Sequence, residues 1–208
     1  RVLRHLKDFD FETLFIEDLG WNHYDTSISV PIESETITLN TVAEKCGMVV
    51  FCCPPLNDGK IPDHATRLKI ERQVAKSVFQ HIIIYFEESR NTQYWQWVKR
   101  ETGKPIACRE SQYHRNQPGD SLIQKLQSIA FSIEEEETLT HVDVANRVRA
   151  AFDVEKVKKR FYDRFKTEHD EFLKFIDGIS DEGMRRWYVS VMLNRLMFIY
   201  FIQKKGFL

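Results

Sequence analysis

Met48-Val49-Val50-Phe51-Cys52-Cys53 is the stretch from which the fold of this chain of 208 residues follows. A short, continuous apolar run of this kind predicts a central β-strand. Gly47 precedes the run and Pro54-Pro55 follows it, and both are typical of turns and loops. Cys52 and Cys53 would point to opposite faces of the strand, because side chains alternate along it. We therefore expect a strand in the middle of a sheet, with at least one of these two cysteines buried.

Strand and helix patterns continue on both sides of this central strand. Upstream, the apolar residues of Phe9–Leu19 share a helical stripe, and Ser27–Ile32 and Thr36–Leu39 alternate as half-buried strands do. Downstream, the sequence predicts a second helix, three more strands and a third helix, at His64–Gln80, His81–Phe86, Tyr94–Val98, Pro105–Cys108 and Ser121–Ile129. The β-branched run within His81–Phe86 is typical of a strand that is buried on both faces.

The pattern changes at Glu134–Glu137, which are four consecutive acidic residues. We interpret this run as a solvated face or loop, with a hinge between two regions as the alternative. The apolar spacing that follows is that of long helices, and one stripe is formed by Val157, Phe161, Phe165, Phe172 and Phe175. The sequence therefore predicts an α+β protein, with a mixed-sheet α/β domain over residues 1–132 and an all-helical region over residues 133–208.

The longest apolar run, Val189–Ile202, is interrupted by Asn194 and Arg195 and is too short to span a bilayer. We expect it to form a buried helix, and we expect no membrane partner. A buried arginine needs a compensating partner, so Arg195 is expected to pair with a carboxylate or to contact a further domain. No signal peptide is visible, and the four cysteines lack zinc-ligand spacing. These features favour reduced cysteines in a cytoplasmic protein.

The charge of the chain limits how it can contact a nucleic acid. Lysine plus arginine number 30 and aspartate plus glutamate 31, which gives a net charge of −1, so any DNA contact must come from a local patch. The candidate phosphate-binding residues are Lys158, Lys159, Arg109 and Arg115. The first two belong to the most basic stretch, which runs from Lys156 to Lys166. For these two lysines we interpret the stretch as a solvated helix face, with phosphate contact as the functional alternative. Trp95 and Trp97 share one strand face, which we interpret as core rather than as a platform for bases.

The order helix, three strands, helix, strand, strand resembles the core of PD-(D/E)XK nucleases. That core needs an acidic residue on one strand and Asp/Glu-x-Lys on the next, because the carboxylates hold the Mg²⁺ that activates the attacking water. Here Met48–Cys53 contains neither an acid nor a lysine, and Asn40 stands where an aspartate is expected. The weak catalytic candidates that remain are Glu17, Asp25, Glu44, Asp58 and Lys60. We expect a nuclease-like fold whose metal site is lost, with a site assembled in another register as the alternative.

Four segments resemble type IIG-like restriction–modification proteins of bacteria. They are Leu14–Trp21, Trp95–Val98, Phe161–Phe165 followed by Glu168-His169 and Phe172, and Met192–Leu208. The most specific block is Asn194-Arg195-Leu196-Met197-Phe198. In that family one polypeptide carries a nuclease or nuclease-like domain, a helical connector, an adenine-N6 methyltransferase domain and a target-recognition domain. The resemblance implies that this chain supplies the first two parts. Because Met48–Cys53 departs from the family's metal-binding pattern, no cleavage residue is carried over.

The resemblance sets the functional expectation. We expect the N-terminal part of a restriction–modification DNA methyltransferase, in which a degenerate nuclease-fold domain scaffolds or positions DNA. The alternatives are an active Mg²⁺-dependent DNA endonuclease domain and a protein–protein interaction module without DNA contact. No methyltransferase, P-loop or hydrolase motif occurs, so no cofactor is expected in this chain unless an active nuclease binds Mg²⁺.

The expected partners are DNA and the methyltransferase domain of the same protein, which would bind S-adenosylmethionine. An apolar surface on the helical region would dock on that domain, or would make the chain self-associate. The residues expected to build this surface are Trp187, Met197, Phe198, Phe201 and Phe207.

Overall fold

The computed structural model describes residues 1–32, 35–101, 103 and 105–204, with the side chains of these residues except those of 154–158. Within this part of the chain, six strands form one mixed sheet flanked by helices, so the protein belongs to the α+β class, as the sequence predicts. The strands are β1 (Ser27–Ile32), β2 (Glu35–Lys45), β3 (Met48–Cys53), β4 (His81–Phe86), β5 (Thr92–Lys99) and β6 (Ala107–His114).

Seven α-helices surround or follow the sheet in the described residues. They are α1 (Val2–Asp8), α2 (Phe11–Thr13), α3 (His64–Ser77), α4 (Asp120–Ser128), α5 (His141–Phe152), α6 (Val154–Leu173) and α7 (Glu182–Lys204). A π-helical turn at Leu14–Asp18 continues α2, and a 3₁₀ turn at Ile133–Glu135 lies between α4 and α5. None of these helices is both long enough and apolar enough to cross a membrane.

The sheet consists of two antiparallel three-stranded halves joined by one parallel pair. The strands lie side by side in their order along the chain, and β3 and β4 are the parallel neighbours. Parallel neighbours need a crossover connection, and α3 provides it. Asp63 caps this helix, because its carboxylate accepts a 2.7 Å hydrogen bond from the backbone N–H of Thr66. The apolar run Met48–Cys53 therefore lies in the middle of the sheet, which confirms the prediction.

Two apolar cores lie on opposite faces of the sheet. On one face, α1, α2, α4 and α5 pack against strand residues such as Val50, and on the other α3 packs against residues such as Val49. Neighbours in the sequence enter different cores because side chains alternate along a strand. Cys53 is buried in the second core, whereas Cys52 contacts the first, and both are free cysteines. The expected burial of at least one of them is confirmed.

Trp95 and Trp97 belong to the first core. Their exposed fractions are 0% and 4%, and the Trp95 ring stacks on Phe15 with centroids 5.9 Å apart. The indole N–H of Trp95 donates a 3.0 Å hydrogen bond to the side chain of Gln93, so its polar atom is satisfied within the core. The interpretation of these tryptophans as core residues is confirmed, and neither ring is available for stacking on bases.

Two elements extend beyond their predicted limits. Strand β2 continues to Lys45, and β6 covers Ala107–His114 rather than 105–108. Most side chains of β6 are only half-buried, and its polar residues make hydrogen bonds and ion pairs instead of apolar contacts. The sequence of β6 therefore lacks the alternation of apolar and polar residues from which a strand is predicted, and only its beginning is predicted. Arg109, a candidate phosphate-binding residue, lies within this strand.

The acidic run Glu134–Glu137 forms a turn that makes ion pairs with neighbouring elements. Glu135 forms an ion pair with Arg147, and a carboxylate oxygen of Glu136 lies 2.8 Å from the ammonium group of Lys45. Lys45 is almost completely buried and its ammonium group also contacts the side chain of Asn22 at 3.2 Å. The four acids are half-buried or exposed, in agreement with a solvated turn.

The chain divides into two compact units, Arg1–Asp153 and Val154–Leu208. The sequence places the boundary at residue 132, whereas α5 belongs to the first unit. The reason is that Val144, Val148 and Phe152 on α5 are buried in the first core. In the second unit, the expected burial of Val189–Ile202 is wrong, since Val189 is the residue of this run that is buried, whereas Asn194 and Arg195 are exposed.

Candidate functional site

The hairpin of β2 and β3 is where the metal site of a nuclease-like core would lie. Asn40 on β2 is paired with Cys52 on β3. Burial raises the pKa of the Cys52 thiol far above its ordinary value and raises the pKa of Cys53 to about 12, so both remain protonated. Magnesium prefers carboxylate oxygens, and an amide beside a neutral thiol is a poor substitute. The residues of this hairpin do not fit a magnesium site.

Two of the weak catalytic candidates lie before the sheet. Glu17, in the π-helical turn, forms a 2.6 Å ion pair with Arg1, in which both side chains are more than half exposed. Asp25 is exposed in the segment that leads into β1. None of the hydrogen bonds or ion pairs of the described residues joins either carboxylate to Asn40 or Cys52.

The other candidates lie near opposite ends of β3. Glu44 is paired with Val49 at the beginning of that strand, whereas Asp58 and Lys60 follow its last residue, Cys53. The Asp58 carboxylate accepts a 3.0 Å hydrogen bond from the backbone N–H of Lys60, which closes their own turn. Among the residues that the structure describes, no group of three or more His, Cys, Asp or Glu side chains is placed to hold a metal ion.

Arg109, a candidate phosphate ligand, belongs to an ion cluster in the first unit. Its Nε lies 3.6 Å from one carboxylate oxygen of Asp153, and Nζ of Lys99 lies 3.0 Å from the other. The Asp153 side chain has no exposed surface. Burial opposes its ionisation, but the hydrogen bond and charge of Lys99 and the charge of Arg109 outweigh burial and hold the pKa of Asp153 below its ordinary value. Arg109 therefore compensates a buried carboxylate.

The other candidate phosphate ligands lie at two places. Arg115 is exposed directly after β6, where its backbone N–H donates a 2.7 Å hydrogen bond to the carbonyl oxygen of Asn91. Lys159 is exposed on α6 beside the exposed Arg160, while the side chain of Lys158 lies outside the described residues. Arg109 and Arg115 thus belong to the first unit, whereas the two lysines belong to the second.

The two units differ in charge. Residues 1–153 contain 18 lysines and arginines against 23 aspartates and glutamates, a net charge of −5. Residues 154–208 contain 12 against 8, a net charge of +4. Six of these twelve cations and a single acid, Asp163, lie within residues 156–166 of α6. The near-neutral total thus conceals a basic helical unit.

A polar cluster that the sequence did not predict links α3 to the sheet. Arg67 on α3 is 7% exposed, and its guanidinium binds both carboxylate oxygens of Glu110 on β6, at 3.0 and 2.8 Å. Gln96 donates to the same carboxylate at 3.1 Å and accepts a 3.0 Å hydrogen bond from Tyr85. Burial opposes ionisation of Glu110, but Arg67 outweighs it and lowers the pKa of this carboxyl. A bidentate, charge-assisted pair of this kind positions β6 against α3.

One signal in the sequence could have identified this cluster. Arg67 precedes Ile70 and Val74 by three and seven residues, so it shares their buried helical face. Cys108 lies beside the cluster, and burial, followed by the charge of Glu110, raises the pKa of its thiol to about 11. At neutral pH this thiol is protonated and unsuited to nucleophilic attack.

A second buried charge lies on the same face of α3. Glu71 is ion-paired with Arg100, and one of its oxygens lies 3.6 Å from Nε2 of His81. The other ring nitrogen of His81 lies 2.7 Å from the carbonyl oxygen of Val78. Burial lowers the pKa of His81 to about 4, so the imidazole is neutral at pH 7. These contacts stabilise the packing of α3 against the sheet.

Helices α6 and α7 form a pair with an apolar groove of about 400 Å³. Its lining consists of the apolar Phe161, Phe165, Leu193 and Met197 and the charged Arg160, Arg164 and Glu168. Large hydrophobic side chains are also exposed elsewhere in this unit, and they are Tyr162, Phe175, Met184, Trp187, Tyr188, Leu196, Phe198, Ile199, Tyr200 and Phe201. The expected exposed surface is present at Trp187, Phe198 and Phe201, whereas Met197 is half-buried and Phe207 lies outside the described residues.

Comparison with known proteins finds no match for this chain among protein-family models, curated proteins or solved structures. The geometry and chemistry of the chain itself therefore carry any assignment of function.

Proposed function

We propose that this chain is the N-terminal part of a restriction–modification DNA methyltransferase, in which it holds or orients DNA without cleaving it. The observation that carries the proposal is the basic and aromatic first half of α6. Lys159, Arg160 and Arg164 are exposed there, and Tyr162, which is 65% exposed, lies among them in the sequence. Cationic side chains of this kind contact phosphates, and an exposed ring adds a stacking surface.

The element order and the altered hairpin support the same proposal. A helix, three strands, a helix and further strands follow one another, which is the order that resembles a PD-(D/E)XK core. At the paired position where a nuclease-like core would bind magnesium, the hairpin offers Asn40 and Cys52 instead of carboxylates. A sheet of this type without its acidic ligands is suited to support a DNA contact rather than phosphodiester cleavage. Methyl transfer and S-adenosylmethionine would then belong to a separate methyltransferase domain that this chain orients.

The proposal is tested by the affinity of the chain for a fluorescently labelled 20-base-pair duplex, measured by anisotropy at low salt. The double variant Lys159→Gln/Arg160→Gln removes two exposed cations from α6. The control Arg72→Gln/Lys76→Gln removes one lysine and one arginine from the exposed face of α3, so the change in net charge is the same. We expect the α6 variant to bind roughly tenfold more weakly, because two phosphate contacts are lost, and the α3 variant to bind as the parent does.

Two outcomes would contradict the proposal. Equal weakening by both variants would indicate a general charge effect, and absence of binding would favour an interaction module without DNA contact. The same duplex is incubated with the chain and Mg²⁺ or Mn²⁺ at saturating protein. We expect it to stay intact, whereas cleavage lost in Asp58→Asn would favour the endonuclease alternative.

A further inference from the structure

One face of α7 carries a seven-residue repeat. Its positions follow one another at alternating spacings of three and four, and they are Met184, Trp187, Val191, Asn194, Phe198 and Phe201. Met184, Trp187, Phe198 and Phe201 are 55–63% exposed. Spacings of this kind place side chains on one stripe of a helix, which is the pattern of a helix–helix seam. We call this stripe the α7 seam.

The α7 seam lies on a different face from the one that packs on α6. Leu193 and Met197 face α6, where they line the groove together with Phe161 and Phe165. Val189, the buried residue of α7, lies on that same side of the helix. Pairing with α6 therefore leaves the seam uncovered in the described part of the second unit.

The α7 seam is complementary to itself. When two copies of α7 run antiparallel about the midpoint between Val191 and Asn194, Trp187 of one copy faces Phe198 of the other, and Met184 faces Phe201. The antiparallel arrangement also sets the two helix dipoles favourably. The two Asn194 residues then lie about 4.5 Å apart along the axis at 1.5 Å per residue, so their amides can hydrogen-bond to each other. A single asparagine in an apolar seam is a known means of fixing the alignment of two helices.

The exposed area of the α7 seam and its flanks matches what a specific dimer needs. Six large side chains contribute to it, with exposed fractions from 45% to 63%: Met184, Trp187, Tyr188, Phe198, Ile199 and Phe201. If a large side chain offers about 200 Å², these six expose roughly 650 Å² on each copy. A pair would bury about 1,300 Å², which lies within the range of specific interfaces of about 1,200–2,000 Å².

We propose that the α7 seam is the contact surface for a second copy of this chain, so that the protein forms a dimer through α7. The inference rests on α7 alone and does not depend on DNA binding, which we assign to the first half of α6. A dimer of this type would present two basic α6 segments related by twofold symmetry.

Sedimentation velocity of the whole chain between about 1 and 100 μM tests this proposal. We expect the parent to change from 24.7 kDa to twice that mass as concentration rises. Phe198→Glu places a charge in the seam and should raise the dissociation constant at least tenfold. Tyr200→Glu is the matched control, because Tyr200 and Phe198 are each 63% exposed on the same helix and Tyr200 lies outside the seam. We expect the Tyr200→Glu variant to dimerise as the parent does.

Trp187→Ser repeats the test at the other end of the seam, and helix content is checked for every variant by circular dichroism. A parent that stays monomeric at 100 μM overturns the proposal and leaves the seam to another occupant, such as a methyltransferase domain. Dimers of undiminished affinity in folded Phe198→Glu and Trp187→Ser also overturn it, because the interface must then lie elsewhere. If Tyr200→Glu and Phe198→Glu weaken dimerisation equally, the proposal is also overturned, because the effect is then not specific to the α7 seam.

Discussion

Gly20 is the position where one added methyl group tests the packing of the first unit most strictly. Its φ of +69° lies in the left-handed region, and a Cβ built there would lie 2.2 Å from the carbonyl oxygen of Phe131. Two hydrogen bonds hold these segments together. The backbone N–H of Phe131 donates to Leu19 at 2.8 Å, and the indole N–H of Trp21 donates to the carbonyl oxygen of Ile129 at 2.9 Å. Gly20→Ala must move one segment away from the other.

The magnitude follows from two separate costs. A left-handed conformation costs alanine about 1–2 kcal/mol. An ordinary contact of this Cβ begins near 3.4 Å, so the backbone has to shift by more than 1 Å, and overpacking of a core costs about 1–3 kcal/mol. We expect Gly20→Ala to lower the free energy of unfolding by about 2–5 kcal/mol. Gly47→Ala is the matched control: Gly47 also has a positive φ, +84°, but nothing lies within 4 Å of its Cβ, so the expected loss is about 1–2 kcal/mol.

Urea unfolding of the parent and both variants, followed by tryptophan fluorescence, measures these losses. The difference between the two variants isolates the contact with Phe131 from the cost of the backbone conformation. If Gly20→Ala is no more destabilising than Gly47→Ala, the close packing of Gly20 on the segment after α4 is refuted.

Two further predictions concern the buried charges of the first unit. Burial lowers the pKa of His81 to about 4. Between pH 6.5 and 4 the unfolded chain therefore binds a proton at this residue that the folded chain does not bind. The free energy of unfolding should consequently decrease by up to about 3 kcal/mol as the pH is lowered through this range. His81→Gln should remove this part of the pH dependence of the free energy of unfolding, and an unchanged pH profile would count against the buried neutral imidazole. Asp153→Asn leaves Lys99 and Arg109 without their shared carboxylate and should cost about 2–4 kcal/mol in thermal or urea unfolding. The exposed control Asp177→Asn should cost less than about 0.5 kcal/mol, and equal effects of the two substitutions would refute the ion cluster.

The centre of the sheet could be predicted from the sequence because its strands bury both faces. Met48–Cys53 and His81–Phe86 are continuous apolar runs, and both strands have the predicted limits. The polar part of the fold could not be predicted in the same way. Arg67 and Glu110 are 43 residues apart in the chain and stabilise each other only after α3 and β6 have packed. Apolar periodicity carries no information about such a pair.

The helical unit shows a different limit of sequence reasoning. An apolar helix is normally buried, and this rule gave the wrong expectation for Val189–Ile202, where Asn194 and Arg195 are exposed. The apolar residues of α7 occupy more than one face, and α6 covers only part of its circumference in the described chain. Periodicity identifies such a helix, but the sequence alone does not identify what covers each face. Prediction of the candidate site failed for a related reason. Glu17, Glu44 and Asp58 are carboxylates suited to binding a metal ion, but the fold places them at separate positions.

The salt dependence of duplex binding tests the central claim, that α6 contacts the DNA backbone, most directly. Each phosphate contact contributes about −0.9 to the slope of log affinity against log salt concentration. We expect a clearly negative slope for the parent, and a slope that is less steep by about 2 for Lys159→Gln/Arg160→Gln. The control Arg72→Gln/Lys76→Gln should keep the slope of the parent. A parent affinity that does not change with salt, or a slope that responds equally to both variants, would contradict the account.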